Sequence, residues 1–270
     1  MSQLPAPNSS PELPAAPRQL GLALSGGGAR GIAHLGVLAA FDELELPIAR
    51  LTGVSSGAIA GTFYAAGFTP REILRLLLST NVARLTRPAF SRYGLLYLDA
   101  VERLLAQHLG PALTFADLRL PLTLVATDLG AGESVYFSEG PLLLPLLASS
   151  AVPILYRAVE YQGRQLVDGG LLNNLPVEPL LGQPGLRVVG VHCNPINPAA
   201  HISTFRRLIE RTLHLAINAN TKARQGQCDL LLEPPELRHY RPLGYKRGQE
   251  LFDIGYRHAM SRAAELRALL

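Results

Sequence analysis

Cysteine is scarce in this chain of 270 residues, which contains only Cys193 and Cys228. Two cysteines exclude a disulfide framework and a cysteine-rich zinc module, and they are compatible with a reducing compartment such as the cytoplasm. Long apolar runs are also missing, since none reaches the ~18 residues that a membrane-spanning helix needs. The longest candidate, Leu142–Val152, is interrupted by Pro145 and Ser149–Ser150 and is interpreted as a buried helix.

Lysine is almost absent, because Lys222 and Lys246 are the only two, so the net charge of +4 comes from arginine. This basic balance permits attraction to anionic phospholipid or to nucleic acid. The arginines are scattered, however, and the chain lacks a basic run interleaved with aromatic residues, so we expect no nucleic-acid partner. The densest stretch contains Arg206, Arg207 and Arg211 on a predicted helix, and it is interpreted as a solvated helix face.

Apolar residues make up 48% of the chain, which is enough to fill a sizeable core and excludes wholesale disorder. The N-terminal 17 residues differ from the rest, with five prolines and three serines. They lack the basic start and apolar stretch of a secretory signal. We therefore expect a flexible tail at residues 1–18 and one domain at 19–270.

Short apolar runs alternate with helical patterns from Leu20 onward. The first are a strand at Leu20–Ser25, a helix at Ile32–Leu44, a strand at Ala49–Val54 and a helix at Ser56–Ala66. Capping boxes predict helix starts at Thr69 and Asp99. Further strands are predicted at Leu122–Thr127, Ser134–Phe137, Ala158–Tyr161, Gln165–Val167, Leu186–Cys193 and Asp229–Leu232, and further helices at Thr204–Lys222 and Gly248–Leu270. This alternation predicts a single three-layer α/β/α domain with a mainly parallel central sheet.

A glycine-rich loop, Ser25–Gly31, lies between the first predicted strand and the first predicted helix. Glycines let backbone N–H groups approach a ligand closely, and the N-terminus of the following helix favours negative charge. The loop therefore predicts a site for a phosphate or an oxyanion, with a plain tight turn as the alternative. A G-x-G-x-x-G can be found here, but the second strand lacks the acidic residue that would hold a ribose.

The second motif is the G-x-S-x-G at Gly53–Gly57, between a predicted strand and a predicted helix. This is the context of a nucleophile elbow, in which small neighbours permit the sharp turn that exposes the Ser55 hydroxyl. The positive end of the following helix points at the same place. The alternative is a helix start capped by Ser55 or Ser56.

The third motif is Asp168-Gly169-Gly170, directly after a predicted strand. A carboxylate at a strand end beside two glycines can reach into a cleft, although an ordinary Asp-Gly turn has the same pattern. Asn173 and Asn174 are interpreted as loop and cap residues.

The three motifs, in this order, resemble the patatin-like phospholipase family, and most of all its compact bacterial members. The resemblance covers residues 20 to about 180 and continues through Thr127–Leu129, Ser149–Pro153, Leu166–Leu171 and Asn174–Val177. It implies the patatin-like fold and hydrolysis of a lipid or fatty-acyl ester, such as a phospholipid or lysophospholipid, by a Ser–Asp dyad. By position, Ser55 is the nucleophile and Asp168 the general base. The implied oxyanion hole comprises Gly26, Gly27 and Gly28, with Arg30 at the family's basic position supporting the loop; no cofactor or metal is implied.

Other chemistries share some of these residues. Five histidines follow Asp168, so chain order permits a Ser-His-Asp triad, for which His192 at a strand end is the best placed. A triad elbow follows a later strand of the sheet, whereas Ser55 follows the second, which favours the dyad. His34, near the glycine-rich loop, is interpreted as a packed, hydrogen-bonded side chain.

Three further functions are weighed against hydrolysis. Acyl transfer uses a similar elbow, but Val54 stands where G-H-S-x-G would need histidine. A non-catalytic or weakly catalytic regulatory or lipid-binding protein on the same fold is the main alternative. A nicotinamide-dependent oxidoreductase is the outside choice.

Peripheral membrane contact is a separate hypothesis. The stretch Val82–Leu98 is apolar and contains arginine, and Leu95 and Leu96 lie within it. It is predicted to form a mobile lid or an interfacial patch, or else a loop folded onto the core. Nothing in the sequence indicates an oligomeric state.

Overall fold

A computed structural model describes residues 18–80, 87–91, 94–242 and 244–270, so the predicted tail lies, except for Arg18, outside the described residues. In chain order, the described strands β1 to β10 are Gln19–Leu24, Ile48–Gly53, Arg87–Ser91, Gly94–Tyr97, Leu122–Asp128, Glu133–Phe137, Val159–Tyr161, Arg164–Asp168, Leu186–Val191 and Leu230–Leu232. The described α-helices α1 to α8 are Ile32–Glu43, Ser56–Ala65, Pro70–Ser79, Asp99–Leu109, Leu143–Ser149, Phe205–Gln225, Gly248–Ser261 and Ala263–Ala268.

The main sheet is mixed but mainly parallel, as the sequence predicts. Its strand order is β10-β9-β1-β2-β5-β8-β7, and β6 also pairs with β5. The five strands from β10 to β5 are parallel, whereas β6 and β8 run antiparallel to β5. The loops after β1 and β2 therefore lie at the same end of the sheet, where its parallel strands end.

Both faces of the sheet are covered. Leu22 and Leu24 of β1 belong to the large core that α1, α2, α3 and α7 complete, whereas Ala23 between them packs with Leu175 and Val177 on the opposite face. Successive side chains of a strand point to opposite faces, so this division shows that apolar residues cover each side. The arrangement is that of a three-layer α/β/α domain.

Several local predictions are confirmed. The apolar run at Leu142–Val152 contains α5, whose Leu146, Leu147 and Ala148 are buried. Thr69 and Glu72 form the predicted capping box at the start of α3. No helix in the described part of the chain is long and apolar enough to cross a membrane.

Two helix boundaries are wrong. Asp99 is the first residue of α4 rather than its cap, since Leu98 holds the cap position. The helix predicted at Gly248–Leu270 breaks at Arg262, which separates α7 from α8. The predicted lid at Val82–Leu98 includes residues 82–86 and 92–93, which lie outside the described residues. Strands β3 and β4 within it pair as a separate antiparallel sheet.

Candidate active site

Ser55 lies on a sharp turn between β2 and α2. Its φ of 54° and ψ of −122° place it in a backbone region that residues other than glycine rarely adopt, so the turn stores strain. A Cβ on Gly57 would lie 2.6 Å from the carbonyl carbon of Leu24, so the elbow fits against β1 only with glycine there. The Ser55 N–H donates to the main-chain oxygen and the hydroxyl of Ser149, each at 3.1 Å.

Strand pairing brings the segments of Ser55 and Asp168 to neighbouring parts of the sheet. Gly53, the last residue of β2, pairs with Leu124 of β5, and Ala126, two residues further along β5, pairs with Asp168 of β8. The C-terminal end of α5 connects the two residues, because Ser149 accepts from the Ser55 N–H and the Ala151 oxygen accepts from the Asp168 N–H at 2.9 Å.

The carboxyl group of Asp168 is buried, and the Ser55 side chain beside it favours its ionised form. The Gly170 N–H donates to Asp168 Oδ1 at 2.8 Å. Burial raises the pKa of Asp168 to about 6, against the opposing effects of the Ser55 side chain and the Gly170 N–H. A carboxylate with this pKa is a stronger base than an exposed aspartate and is still about nine-tenths ionised at pH 7.

The glycine-rich loop lies on the other side of Ser55. A Cβ on Gly26 would lie 3.2 Å from the Ser55 Cβ, and Gly28 has a φ of 59° that favours glycine. The N–H groups of Gly26, Gly27 and Gly28 donate to no other residue that the structure describes. These donors are therefore available for an anion beside Ser55.

The side chain of Arg30 anchors the end of the glycine-rich loop through hydrogen bonds. Its buried side chain donates from Nε to the Tyr240 oxygen and from Nη1 to Asn194 Oδ1, both at 2.8 Å. Burial lowers the pKa of Arg30 to about 10, so the group is still a cation at neutral pH. The next residue back, Ala29, donates its N–H to the Pro242 oxygen at 2.6 Å. The loop is thus tied to the segment that follows β10.

His34 is buried, as a packed and hydrogen-bonded histidine. Its Nε2 lies 2.7 Å from the Ser25 oxygen, which can only accept, so Nε2 carries the proton. Nδ1 then accepts from the Cys193 thiol at 3.5 Å, and the Cys193 N–H donates to the Ser25 hydroxyl at 2.9 Å. Burial lowers the pKa of His34 to about 4, so it is neutral and supports the loop rather than exchanging protons near pH 7.

His192 is placed away from the Ser55–Asp168 pair. It follows β9, which β1 separates from β2, and its Nδ1 contacts the Glu233 carboxylate and Gln225. The groups that influence the pKa of Asp168 are its burial, the Ser55 side chain and the Gly170 N–H, and no histidine is among them. This geometry favours a two-residue arrangement over a triad.

Two contributors to the site were not identified from the sequence. Ser149 interrupts an apolar run and begins the Ser149–Pro153 stretch of the family resemblance, but the sequence assigns it no role. In the structure it accepts from the Ser55 N–H and orients the elbow. Asn174, interpreted as a loop or cap residue, is buried with its Nδ2 3.5 Å from the Gly26 oxygen, and a Cβ on Gly170 would lie 2.7 Å from its Oδ1. It therefore bridges the glycine-rich loop and the turn after Asp168. The Asn-Leu-Pro-Val sequence was the only available signal for it.

The described residues include no group of three or more His, Cys, Asp or Glu side chains that could hold a metal ion. What they assemble is a strained serine, a buried carboxylate and free N–H donors. These are the parts needed for nucleophilic attack on a carbonyl carbon with stabilisation of the resulting oxyanion.

Sequence comparisons identify a family and several related proteins. The model of the patatin-like phospholipase family matches residues 22–181. An uncharacterized NTE family protein of Mycobacterium tuberculosis is 36% identical over 193 residues, which cover 71% of this chain and 53% of that protein. Lysophospholipase NTE1 of Chaetomium globosum is 25% identical over 285 residues, covering 93% of this chain and 18% of that protein. The chain thus spans about half the length of the first of these relatives and less of the second.

Solved structures share the fold. VipD from Legionella pneumophila has a TM-score of 0.61 at 16% identity, with 93% of this chain and 68% of that chain covered. Human GIVD cytosolic phospholipase A2, in complex with methyl gamma-linolenyl fluorophosphonate, has a TM-score of 0.51 at 14% identity, with 93% and 59% covered.

Proposed function

Because the chain belongs to the patatin-like phospholipase family, we propose that it is a serine acyl hydrolase that cleaves carboxylic ester bonds of lipids through Ser55 and Asp168. The family membership supports a lipid ester hydrolase in general. The position of Ser55 on its strained turn beside the buried Asp168 carboxylate, whose pKa its side chain lowers, supports the specific pair. A substrate among the phospholipids or lysophospholipids is in keeping with the names of the fungal and human relatives.

In the first half-reaction, Ser55 Oγ attacks the ester carbonyl carbon as Asp168 takes the serine proton. The carbonyl oxygen becomes negative in the tetrahedral intermediate and faces the N–H groups of Gly26, Gly27 and Gly28, with the N-terminus of α2 also contributing positive potential. The C–O bond of the ester then breaks. Asp168 returns the proton to the leaving alcohol, and the acyl group stays on Ser55.

In the second half-reaction, Asp168 deprotonates a water molecule that attacks the acyl-serine carbonyl. The same donors hold the second oxyanion, and Ser55 leaves with the proton that Asp168 returns. Proton transfer in step with attack avoids a free alkoxide, which an aspartate is too weak a base to generate. An ester suits this pair better than an amide, since its leaving group needs less protonation.

The test is hydrolysis of p-nitrophenyl esters with short and medium acyl chains by the wild type, Ser55→Ala and Asp168→Asn, with folding checked by circular dichroism. We expect both variants to lose at least ~10³ of kcat. Ser56→Ala is the matched control, since it removes the neighbouring hydroxyl, which has no partner among the described residues, and we expect nearly full turnover.

Three results would contradict the proposal. Turnover that survives Ser55→Ala would remove the serine from its role, and loss of turnover in a folded His192→Gln variant would favour the triad. No turnover by the wild type, with phospholipid and lysophospholipid also supplied, would favour the regulatory or lipid-binding alternative.

A further inference from the structure

Helix α6 has an apolar face that no other described part of the chain covers. Phe205 is 77% exposed, Leu208 48% and Leu215 47%, and Ile202 just before the helix is 45% exposed. At about 100° per residue the three helical side chains lie within ~80° of one another around the helix axis. We call these four residues the docking face.

Positive charge borders the docking face. By the same angular count, Arg211 and Lys222 lie within ~60° of Leu208 and Leu215 around the helix, and Arg207 lies ~80° from Leu215. The only acidic residue of α6, Glu210, falls on the opposite side. Apolar side chains beside a basic border, on a helix that lies at a surface, are the features of an interfacial membrane helix.

The other side of α6 rests on the candidate active site. His214 Nε2 lies 3.1 Å from the Asn194 oxygen, and Asn194 holds Arg30 of the glycine-rich loop. Asn220 donates from Nδ2 to the Leu171 oxygen at 3.0 Å, in the turn after Asp168. The helix therefore separates the docking face from these loops by about one helix diameter, ~10 Å.

We propose that the docking face binds the surface of an anionic phospholipid bilayer and brings the site next to its substrate. The proposal rests on the function proposed above for the choice of lipid. A second copy of this chain is a poorer occupant, because pairing two such faces brings two basic borders into one contact. Anionic headgroups, in contrast, complement the arginines while the apolar side chains enter the acyl boundary.

Vesicle flotation of the full chain tests the proposal, with vesicles of phosphatidylcholine alone and of phosphatidylcholine with phosphatidylglycerol at about three to one. We expect the wild type to bind the mixed vesicles more strongly. Phe205→Ser combined with Leu208→Ser should weaken binding by about tenfold or more. Arg207→Glu combined with Arg211→Glu should abolish the preference for the anionic vesicles.

Matched controls come from residues outside the docking face. Leu181, 39% exposed, lies in the segment before β9, and Leu181→Ser should bind vesicles as the wild type does. Arg267 lies on α8, and Arg267→Glu repeats one charge reversal away from the docking face. All variants should hydrolyse a soluble p-nitrophenyl ester at the wild-type rate, which also shows that they are folded.

The outcomes separate this proposal from the proposed function. A wild type that hydrolyses the soluble ester but does not bind vesicles, or docking-face variants that bind as well as the wild type, would overturn the docking proposal alone. Vesicle binding that is sensitive to the variants, in a protein that hydrolyses no ester, would uphold docking and remove the catalytic role. A docking-face variant that only converts a dimer into a monomer would assign the face to a second copy.

Discussion

Asp168 carries a carboxyl group in a place where ionisation is unfavourable, since burial raises its pKa from 3.8 to about 6. The base in the proposed mechanism is the ionised form. We therefore expect kcat/KM for a soluble ester to be constant above about pH 7 and to fall about tenfold per pH unit below pH 6. A pH–rate profile measures this. A controlling pKa near 7 that disappears in His192→Gln would assign the base to a histidine.

The raised pKa of Asp168 also affects folding, because the ionised carboxyl group that the proposed mechanism needs makes the folded state less stable. A group whose folded pKa is raised contributes stability that is fully present below its unfolded pKa, near 3.8, and is lost as pH rises through about 6. Asparagine stays neutral at every pH. We expect Asp168→Asn to increase the free energy of unfolding by about 1–3 kcal/mol at pH 8.

Urea denaturation at several pH values measures this difference. The gain of Asp168→Asn over the wild type should shrink below pH 6 and vanish near pH 4. A variant that is less stable than the wild type at pH 8 would contradict this expectation. It would mean that the hydrogen bonds lost on substitution stabilise the fold by more than the buried charge destabilises it. Ser56→Ala serves as a control without a titrating group.

Gly26 is the loop residue closest to Ser55. A methyl group there would meet Asn174 Oδ1 and lie 3.2 Å from the Ser55 Cβ, so Gly26→Ala should displace the N–H donors of the loop. We expect kcat to fall by about 10²–10³, with a smaller change in KM. Steady-state kinetics with a soluble ester measures both constants.

Gly226→Ala is the matched control for this substitution. Its added methyl group would have only the Ala223 oxygen within 4 Å, at 3.7 Å, and the variant should retain wild-type kinetics. An active Gly26→Ala enzyme would argue against a role for this loop in holding the oxyanion.

Among the elements, α1 and α7 approach each other at reciprocal glycines. A Cβ on Gly36 of α1 would lie 2.6 Å from the Tyr256 N of α7, and a Cβ on Gly255 of α7 would lie 2.8 Å from the Ala33 carbonyl carbon of α1. Either methyl group meets backbone, which cannot rotate away, so the helices must separate.

We expect Gly36→Ala and Gly255→Ala each to lower the free energy of unfolding by about 1–3 kcal/mol, as overpacked cores do. Urea denaturation measures the effect, with Gly226→Ala as the reference because alanine there meets no backbone closer than 3.7 Å. If either variant were as stable as the reference, the two helices would not be in such close contact in solution.

The elements show where inference from sequence succeeds. Strands β1, β2 and β9 and helices α1 and α2 follow from local periodicity, and the Thr69–Glu72 capping box follows from two residue types three positions apart. The break at Arg262 could not be predicted in this way, because the helical pattern continues through it. Tertiary packing determines that the helix breaks at this residue.

The site was harder to predict from the sequence than the helices and strands. Ser55 and the glycine-rich loop lie in sequence motifs that directly follow parallel strands. Asp168, in contrast, meets Ser55 because the antiparallel strand β8 pairs with β5 in one register, and a strand's register depends on its neighbours. Asn174 and Ser149 act through long-range hydrogen bonds, which leave no local pattern.

At the scale of the whole molecule, the net charge of +4 and the basic border of α6 bear on the proposed docking to a lipid surface. If docking on an anionic surface precedes hydrolysis, added salt should affect the two kinds of substrate differently. Screening shortens the reach of charges from ~10 Å at 0.1 M salt to ~3 Å at 1 M. We expect hydrolysis of phospholipid in anionic vesicles to fall severalfold as salt rises over this range.

Hydrolysis of a soluble neutral ester should change little over the same range, since the hydrogen bonds of the buried Asp168 and Arg30 are poorly screened. Parallel assays of the two substrates in one salt series measure the contrast, and Arg207→Glu combined with Arg211→Glu should remove most of the salt dependence with vesicles. Equal loss with both substrates would place the salt effect in the site itself. The contrast, if observed, would separate the charge that brings this molecule to a lipid surface from the buried groups that cleave the ester.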